Sequence, residues 1–258
     1  MLRLIFCEFW KLKRRKLLFF AYLTSVALPA LFALILPEKS MANFMSITRQ
    51  ENGFLLLIPL TVVIAANLFF QEQDLDTLKN LLCIPVTRAQ LAVAKAFVLL
   101  AFDVAYELAG YAVGLLMAAA CGASLEGWGQ QLFLNVCAGV LLWAAALPGA
   151  LLAVWFNKSY IISVILAFGY AILGYIMQIS DACLRAPLGL NVQTFLPVPL
   201  MFRWLYQYNA FEAGSMVAEF YEGFRPYFVS TPTIFAILMG EAVICVAAMI
   251  KAYQRQSV

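Results

Sequence analysis

The sequence predicts an all-α integral membrane fold, a bundle of six transmembrane helices with both termini in the cytoplasm. Three observations predict it. Hydrophobic residues make up 64% of the 258 residues and charged residues 12%. The charged share is about half that of soluble domains, and a soluble core could not hide so much apolar surface from water. The apolar residues fall in six continuous runs without the alternation of barrel strands. The basic residues, finally, are sorted toward one side of those runs.

The elements follow in chain order. Residues 1–16 alternate Leu2, Ile5, Phe6, Phe9 and Trp10 with Arg3, Glu8, Lys11 and Lys13. That spacing predicts an amphipathic helix in the inner interface, its cations near anionic headgroups; a plain positive-inside anchor is the equal alternative. The spans are expected at 17–36, 53–70, 97–120, 131–153, 160–179 and 229–250, each long enough at ~1.5 Å per residue to cross ~30 Å of hydrocarbon. Residues 71–96 form a polar connector and residues 180–228 a long outer loop.

Charge sets the orientation. With a cytoplasmic N-terminus, Arg3, Lys11, Lys13, Arg14, Arg15, Lys16, Lys79, Arg88, Lys95, Lys158, Lys251 and Arg255 lie inside. Only Lys39, Arg49, Arg185, Arg203 and Arg225 lie outside, a clear positive-inside bias. The first run is longer than a signal-peptide core, and its removal would leave an odd number of spans, so it is expected to be retained. Of six cysteines, only Cys121 and Cys183 could meet outside, and nothing in the sequence fixes their distance. Without histidine or a paired-cysteine motif, no zinc site is expected.

The connector is the most informative segment. Asp76 or Thr77 can cap a short helix whose Leu78, Leu81 and Leu82 form an apolar stripe, and Pro85 ends it. Asp74, Asp76, Lys79 and Arg88 flank the stripe, which suits a groove on a soluble partner. The plainer reading is a joint between two spans.

The outer loop is the second unusual feature, with eleven aromatic residues in 49. A loop so aromatic is expected to dip into or lie along the outer interface. Residues 211–222 read as a short amphipathic helix, with Glu212 and Glu219 on one face. Trp204, Tyr206, Glu212, Glu219, Phe220 and Glu222 are the candidate contacts for an amphiphilic substrate; an inert aromatic cap is the alternative.

Three acids fall inside expected spans: Asp103, Glu107 and Glu241. Asp103, Glu107, Gly110 and Gly114 share one face of the third helix, and the glycine pair permits close helix packing. That face is expected to meet protein or a water-filled cavity. No lysine or arginine lies within an expected span to neutralise it, so the acids are protonated, hydrogen-bonded to Asn67, Asn135 or a tyrosine, or part of a substrate or proton pathway.

Taken together, the basic interfacial N-terminus, six spans, the connector and the long last outer loop resemble the permease subunits of ABC-2 type exporters, with their type V exporter-like bundle. The most specific part runs from Phe70 and Glu72 through Thr77-Leu78-Lys79-Asn80-Leu81-Leu82 and Pro85-Val86-Thr87-Arg88 to Leu91–Lys95. Where the family often has Gly-Thr after the acidic residue, Asp76-Thr77 stands here. The small size and lack of a fused nucleotide-binding domain are most similar to permeases that protect Gram-positive bacteria from lantibiotics or bacitracin.

The resemblance implies ATPase coupling through Glu72, Asp76, Thr77, Leu78, Leu81, Leu82 and Arg88. It implies two ABC ATPase subunits, a second permease copy or related permease, an amphiphilic antimicrobial peptide as substrate, and the bacterial plasma membrane as location. ATP and Mg would sit on the partner, since no glycine here is followed by lysine and no phosphate-cradling Walker A loop exists. No enzyme activity, cofactor, metal or nucleic-acid partner is expected of the chain itself. Two other classes stay open. A proton-coupled secondary transporter would use Asp103, Glu107 and Glu241 as its relay, and a membrane sensor or scaffold would transport nothing.

Overall fold

The computed structural model describes residues 1–35, 40–74, 86–156, 160–177, 180–208 and 222–255, with side chains other than those of residues 33, 70–74, 160 and 255. The described residues form helices and no strand. Helix α1 (Leu2–Lys13) meets α2 (Lys16–Ile35) at a bend of 80°. One face of α1 exposes Leu2, Phe6, Phe9 and Trp10, while Glu8 and Leu12 are buried. An apolar edge on the outside and a carboxylate on the inside is the reverse of a soluble surface helix.

The second span departs from the sequence expectation. Its helical run is Met41–Phe69, starting well before residue 53. It comprises α3 (Met41–Ile47), a π-helical stretch Thr48–Leu57, and the first part of α4 (Ile58–Asp74). The polar string Thr48–Asn52 looked like loop, yet its side chains find partners within the bundle. Thr48 Oγ1 donates to Phe44 O at 2.9 Å, and Arg49 Nη1 donates to Gln131 Oε1 at 2.7 Å. Arg49, expected in an outer loop, is therefore a core residue, 1% exposed.

Helix α5 (Arg88–Ala120) begins with a capping box. Thr87 Oγ1 accepts from Gln90 N at 3.2 Å, and Gln90 Oε1 accepts from Thr87 N at 3.0 Å, satisfying donors a helix start leaves open. Gly122 and Gly127 take left-handed φ values of 70° and 77°, which turn the chain into α6 (Trp128–Trp155) with no Cβ penalty. Helix α6 is the centre of the bundle, burying Leu141, Leu142, Ala144–Leu147, Ala150 and Ala153. At Gly139 a Cβ would stand 2.8 Å from Val104 Cα, so only glycine lets α5 and α6 approach this closely.

Helix α7 (Tyr160–Met177) packs on α4 and α6, and α10 (Thr231–Arg255) packs on α5 and α6. Among the described residues three helices, Met41–Phe69, Trp128–Trp155 and Thr231–Gln254, are each long and apolar enough to cross a membrane, or four if the bent α1–α2 pair is counted as one span. The other expected spans correspond to α5, long but carrying two acids, and α7, apolar but shorter.

Between α7 and α10 the described residues fold back onto the bundle. A short α8 (Asp181–Leu184) and a 3-10 turn (Val192–Phe195) lead to α9 (Pro197–Leu205). All nine residues of α9 are buried, against α7, α6 and α10. At α9 the loop is thus packed into the bundle, as the alternative of an aromatic cap would have it.

Candidate functional site

Two polar constellations interrupt the apolar bundle. The first surrounds the acidic face of α5. Asp103, Glu107, Gly110 and Gly114 are all buried, and the two carboxyl side chains have no exposed surface. Thr61 Oγ1 of α4 donates to Asp103 Oδ1 at 2.6 Å. Asp103 Oδ2 and both Glu107 oxygens have no hydrogen-bond partner among the described residues. Thr61 thus takes the part expected of Asn67 or Asn135.

Arg49 corrects the expectation that no cation neutralises this face. It lies within electrostatic reach of Glu107 without forming an ion pair or hydrogen bond with it. The π-helical winding carries Arg49, Asn52 and Gly53 to the buried side together. Tyr106 OH donates to Asn52 Oδ1 at 2.7 Å and meets Thr24 Oγ1 at 3.2 Å. Gly53 leaves the room Glu107 occupies, since a Cβ there would be 3.0 Å from Glu107 Oε1. Gly110 and Gly114 serve the same packing. Their missing Cβ atoms would stand 2.6 Å from Thr48 Cγ2 and 3.1 Å from Met45 Cε. Glu241 sits apart, half-buried on α10 near Tyr170 and Cys245.

The second constellation is at the opposite, basic end of α5. Lys95, expected as a cytoplasmic connector charge, has no exposed surface. Its ammonium lies 3.3 Å from Glu8 Oε2 of α1, donates to Leu68 O of α4, and sits 5.3 Å from the centre of the Phe69 ring. Glu8 also pairs with Lys11. Phe69 meets Tyr253 edge-on at 5.4 Å. Arg88 Nη1 donates to Tyr253 O and Gln254 O, each at 3.3 Å, capping the last turn of α10 with a cation as a helix C-terminus favours. In the chain, residues 75–85 fall between these anchors and lie outside the described residues. The expected coupling residues Asp76, Thr77, Leu78, Leu81 and Leu82 lie outside the described residues, as does the side chain of Glu72.

A family model for ABC-2 family transporter proteins matches residues 4–174. The chain belongs to that family. No curated protein matches it. As a member of the ABC-2 family it is an integral membrane protein and the transport component of an ABC transporter, and membership implies association with an ABC ATPase component. The matched region includes the first constellation, Glu8, Phe69, Arg88 and Lys95 of the second, and the segment between residues 74 and 86; it ends before the outer loop and α10.

The described outer-loop candidates of this ABC-2 permease differ in burial. Trp204 is fully buried, and its Nε1 donates to Thr231 Oγ1 at 3.0 Å. Tyr208 OH bonds the same hydroxyl at 2.9 Å. Tyr206 is half-buried and Glu222 exposed; Glu212, Glu219 and Phe220 lie outside the described residues. Arg203, missed in the sequence, is 2% exposed and donates from Nε to Tyr227 O at 2.8 Å; burial pushes its guanidinium below the usual arginine range. Cys121 and Cys183 are both free thiols.

Proposed function

We propose that the protein is the membrane-spanning subunit of an ATP-driven exporter in a bacterial plasma membrane, and that it expels an amphiphilic cationic peptide of the lantibiotic or bacitracin type. The observation that carries the coupling half of this reading is the basic end of the bundle. The strands of chain that enter and leave residues 75–85 are held by Lys95 on one side and Arg88 on the other. A push on that segment from a closing ATPase pair would reach α1, α4, α5 and α10 together, which is how a local event becomes a rigid-body motion. Glu72, Asp76, Thr77, Leu78, Leu81, Leu82 and Arg88 are the coupling residues in this reading. ATP and Mg are held by two ATPase subunits.

The peptide half rests on the outer face. Exposed Glu222, with Glu212 and Glu219, would attract a peptide's lysines, an attraction that salt screens, and Tyr206 and Phe220 would pack its apolar side. A second permease copy, or a related permease, completes the translocation path. Helix α10 leaves most of its apolar surface outside the bundle, where such a copy or lipid would lie.

A second reading draws on the unpartnered oxygens of Asp103 and Glu107. Buried carboxyls of this kind in a membrane are the natural seat of a proton relay. ATPase activity of the reconstituted complex, measured with and without bacitracin or a lantibiotic, tests the peptide reading. Stimulation by the peptide that fades at high salt supports it. Transport driven by a proton gradient without any ATPase would replace it with the second reading.

A further inference from the structure

We infer that Lys95 and Glu8 form an ionic clamp through which movement of the ATPase-facing segment is passed to the interfacial helix α1, an inference that rests on the ATPase-coupled reading above. Glu8 is 1% exposed and Lys95 is fully buried, so the 3.3 Å pair is shielded from water. A packing role alone does not call for such a pair. Buried ion pairs are costly to desolvate, and apolar residues of similar volume often serve stability as well or better. What the pair adds is direction, since each charge tolerates few other positions.

The geometry fixes that direction. Lys95 stands two turns into α5 and reaches across to Leu68 O, on the last turns of α4 before residues 75–85. It therefore ties the outgoing and returning arms of that segment to each other. Glu8 then ties α1 to the tied arms. The ring closes through Phe69 on Tyr253 and Arg88 on the end of α10. On the opposite face of α1, Leu2, Phe6, Phe9 and Trp10 are exposed among the described residues. A displacement of the arms thus moves α1 along the membrane surface if the clamp holds, and leaves it behind if the clamp is cut.

Cys7, adjacent to Glu8, is a free and exposed thiol, which makes α1 directly observable. The complete complex is reconstituted in lipid nanodiscs with Cys7 as its only accessible cysteine and an environment-sensitive fluorophore attached there. The signal is the emission change on adding a non-hydrolysable ATP analogue. The parent complex is expected to show a change. The double variant Glu8→Leu/Lys95→Met, which replaces the ions by apolar groups of similar size, is expected to retain the ATPase subunits and lose at least about fivefold of the change, the lower bound of ordinary coupling effects. An equal change in parent and double variant overturns the clamp alone and leaves ATPase coupling standing, as does a parent with bound ATPase and no change at Cys7. A parent that binds no ATPase overturns both. If the double variant does not assemble, Lys95→Met with Glu8→Gln is measured by the same criterion; failure of both to assemble assigns the pair a purely structural role and overturns the inference.

Discussion

The rings of Phe54 and Phe202 stack at 4.1 Å between centroids, 23° from parallel. Phe54 belongs to the π-helical stretch beside Gly53 and Glu107, and Phe202 to the buried helix α9 of the outer loop. The contact joins the packed part of the outer loop to the acidic face of the bundle. Both rings are about 1% exposed. Phe202→Ala should therefore cost about 3–5 kcal/mol, the usual range for emptying an aromatic core site. Thermal unfolding in detergent, compared with an exposed control such as Phe133→Ala, checks it; equal melting of the two would remove α9 from the core.

Trp204 and Glu222 should separate stability from substrate handling. Trp204→Ala empties a closed site and breaks the bond to Thr231, so a stability loss of about 3–5 kcal/mol is expected. Glu222→Gln acts on an exposed side chain and should leave the melting temperature unchanged. Its effect should appear in peptide-stimulated ATPase activity at low salt and vanish at high salt. A salt-independent effect would mean that Glu222 does not act through its charge.

Arg49 and Glu107 should be energetically coupled. Glu107→Gln removes the buried carboxyl within electrostatic reach of Arg49, and Arg49→Met removes the cation that Glu107 senses. Each single change should destabilise, and the double variant should recover part of the loss, with an interaction energy of about 0.5–3 kcal/mol. Strictly additive losses would show that the two groups do not sense each other. Parental transport in the double variant would assign the pair to cohesion; loss of proton-gradient-driven transport at normal stability would favour the proton-relay reading.

Glycine positions should rank by what surrounds them. At Gly139 the added methyl meets Val104 Cα at 2.8 Å, backbone that cannot turn aside. At Gly114 it meets the end of the Met45 side chain at 3.1 Å, which can. Gly139→Ala should cost about 1–3 kcal/mol through overpacking and Gly114→Ala clearly less. The reverse order in thermal unfolding would contradict the packing described here.

These residues also mark what the sequence can and cannot convey. Continuous apolar runs and sorted charges are one-dimensional signals; the helices overlap the runs, but the second and third begin well before theirs. The common face of Asp103, Glu107, Gly110 and Gly114 was legible because helical periodicity alone sets it. Arg49 was not, because Thr48–Asn52 has the composition of a loop and only its partners on α5 and α6 make it a helix. Lys95 was misread for a related reason. A lysine near a helix end counts as an interfacial charge until a carboxylate 87 positions earlier is brought against it. Gly139 follows no GxxxG pattern, so its contact with Val104 required knowing which helix α6 crosses. Trp204 read as interfacial by residue type, whereas burial of α9 depends on how the loop returns to the bundle.

Coupling to a separate ATPase through residues 75–85 is the central claim, and affinity capture of the tagged permease from its native membrane tests it most directly. The parent should retain an ABC ATPase, identified by mass spectrometry. The Leu78→Asp/Leu81→Asp variant, at equal abundance and equal melting temperature, should lose most of it, because two charges replace the apolar stripe. Equal ATPase recovery with parent and variant, or transport by a parent that carries no ATPase, would contradict the account.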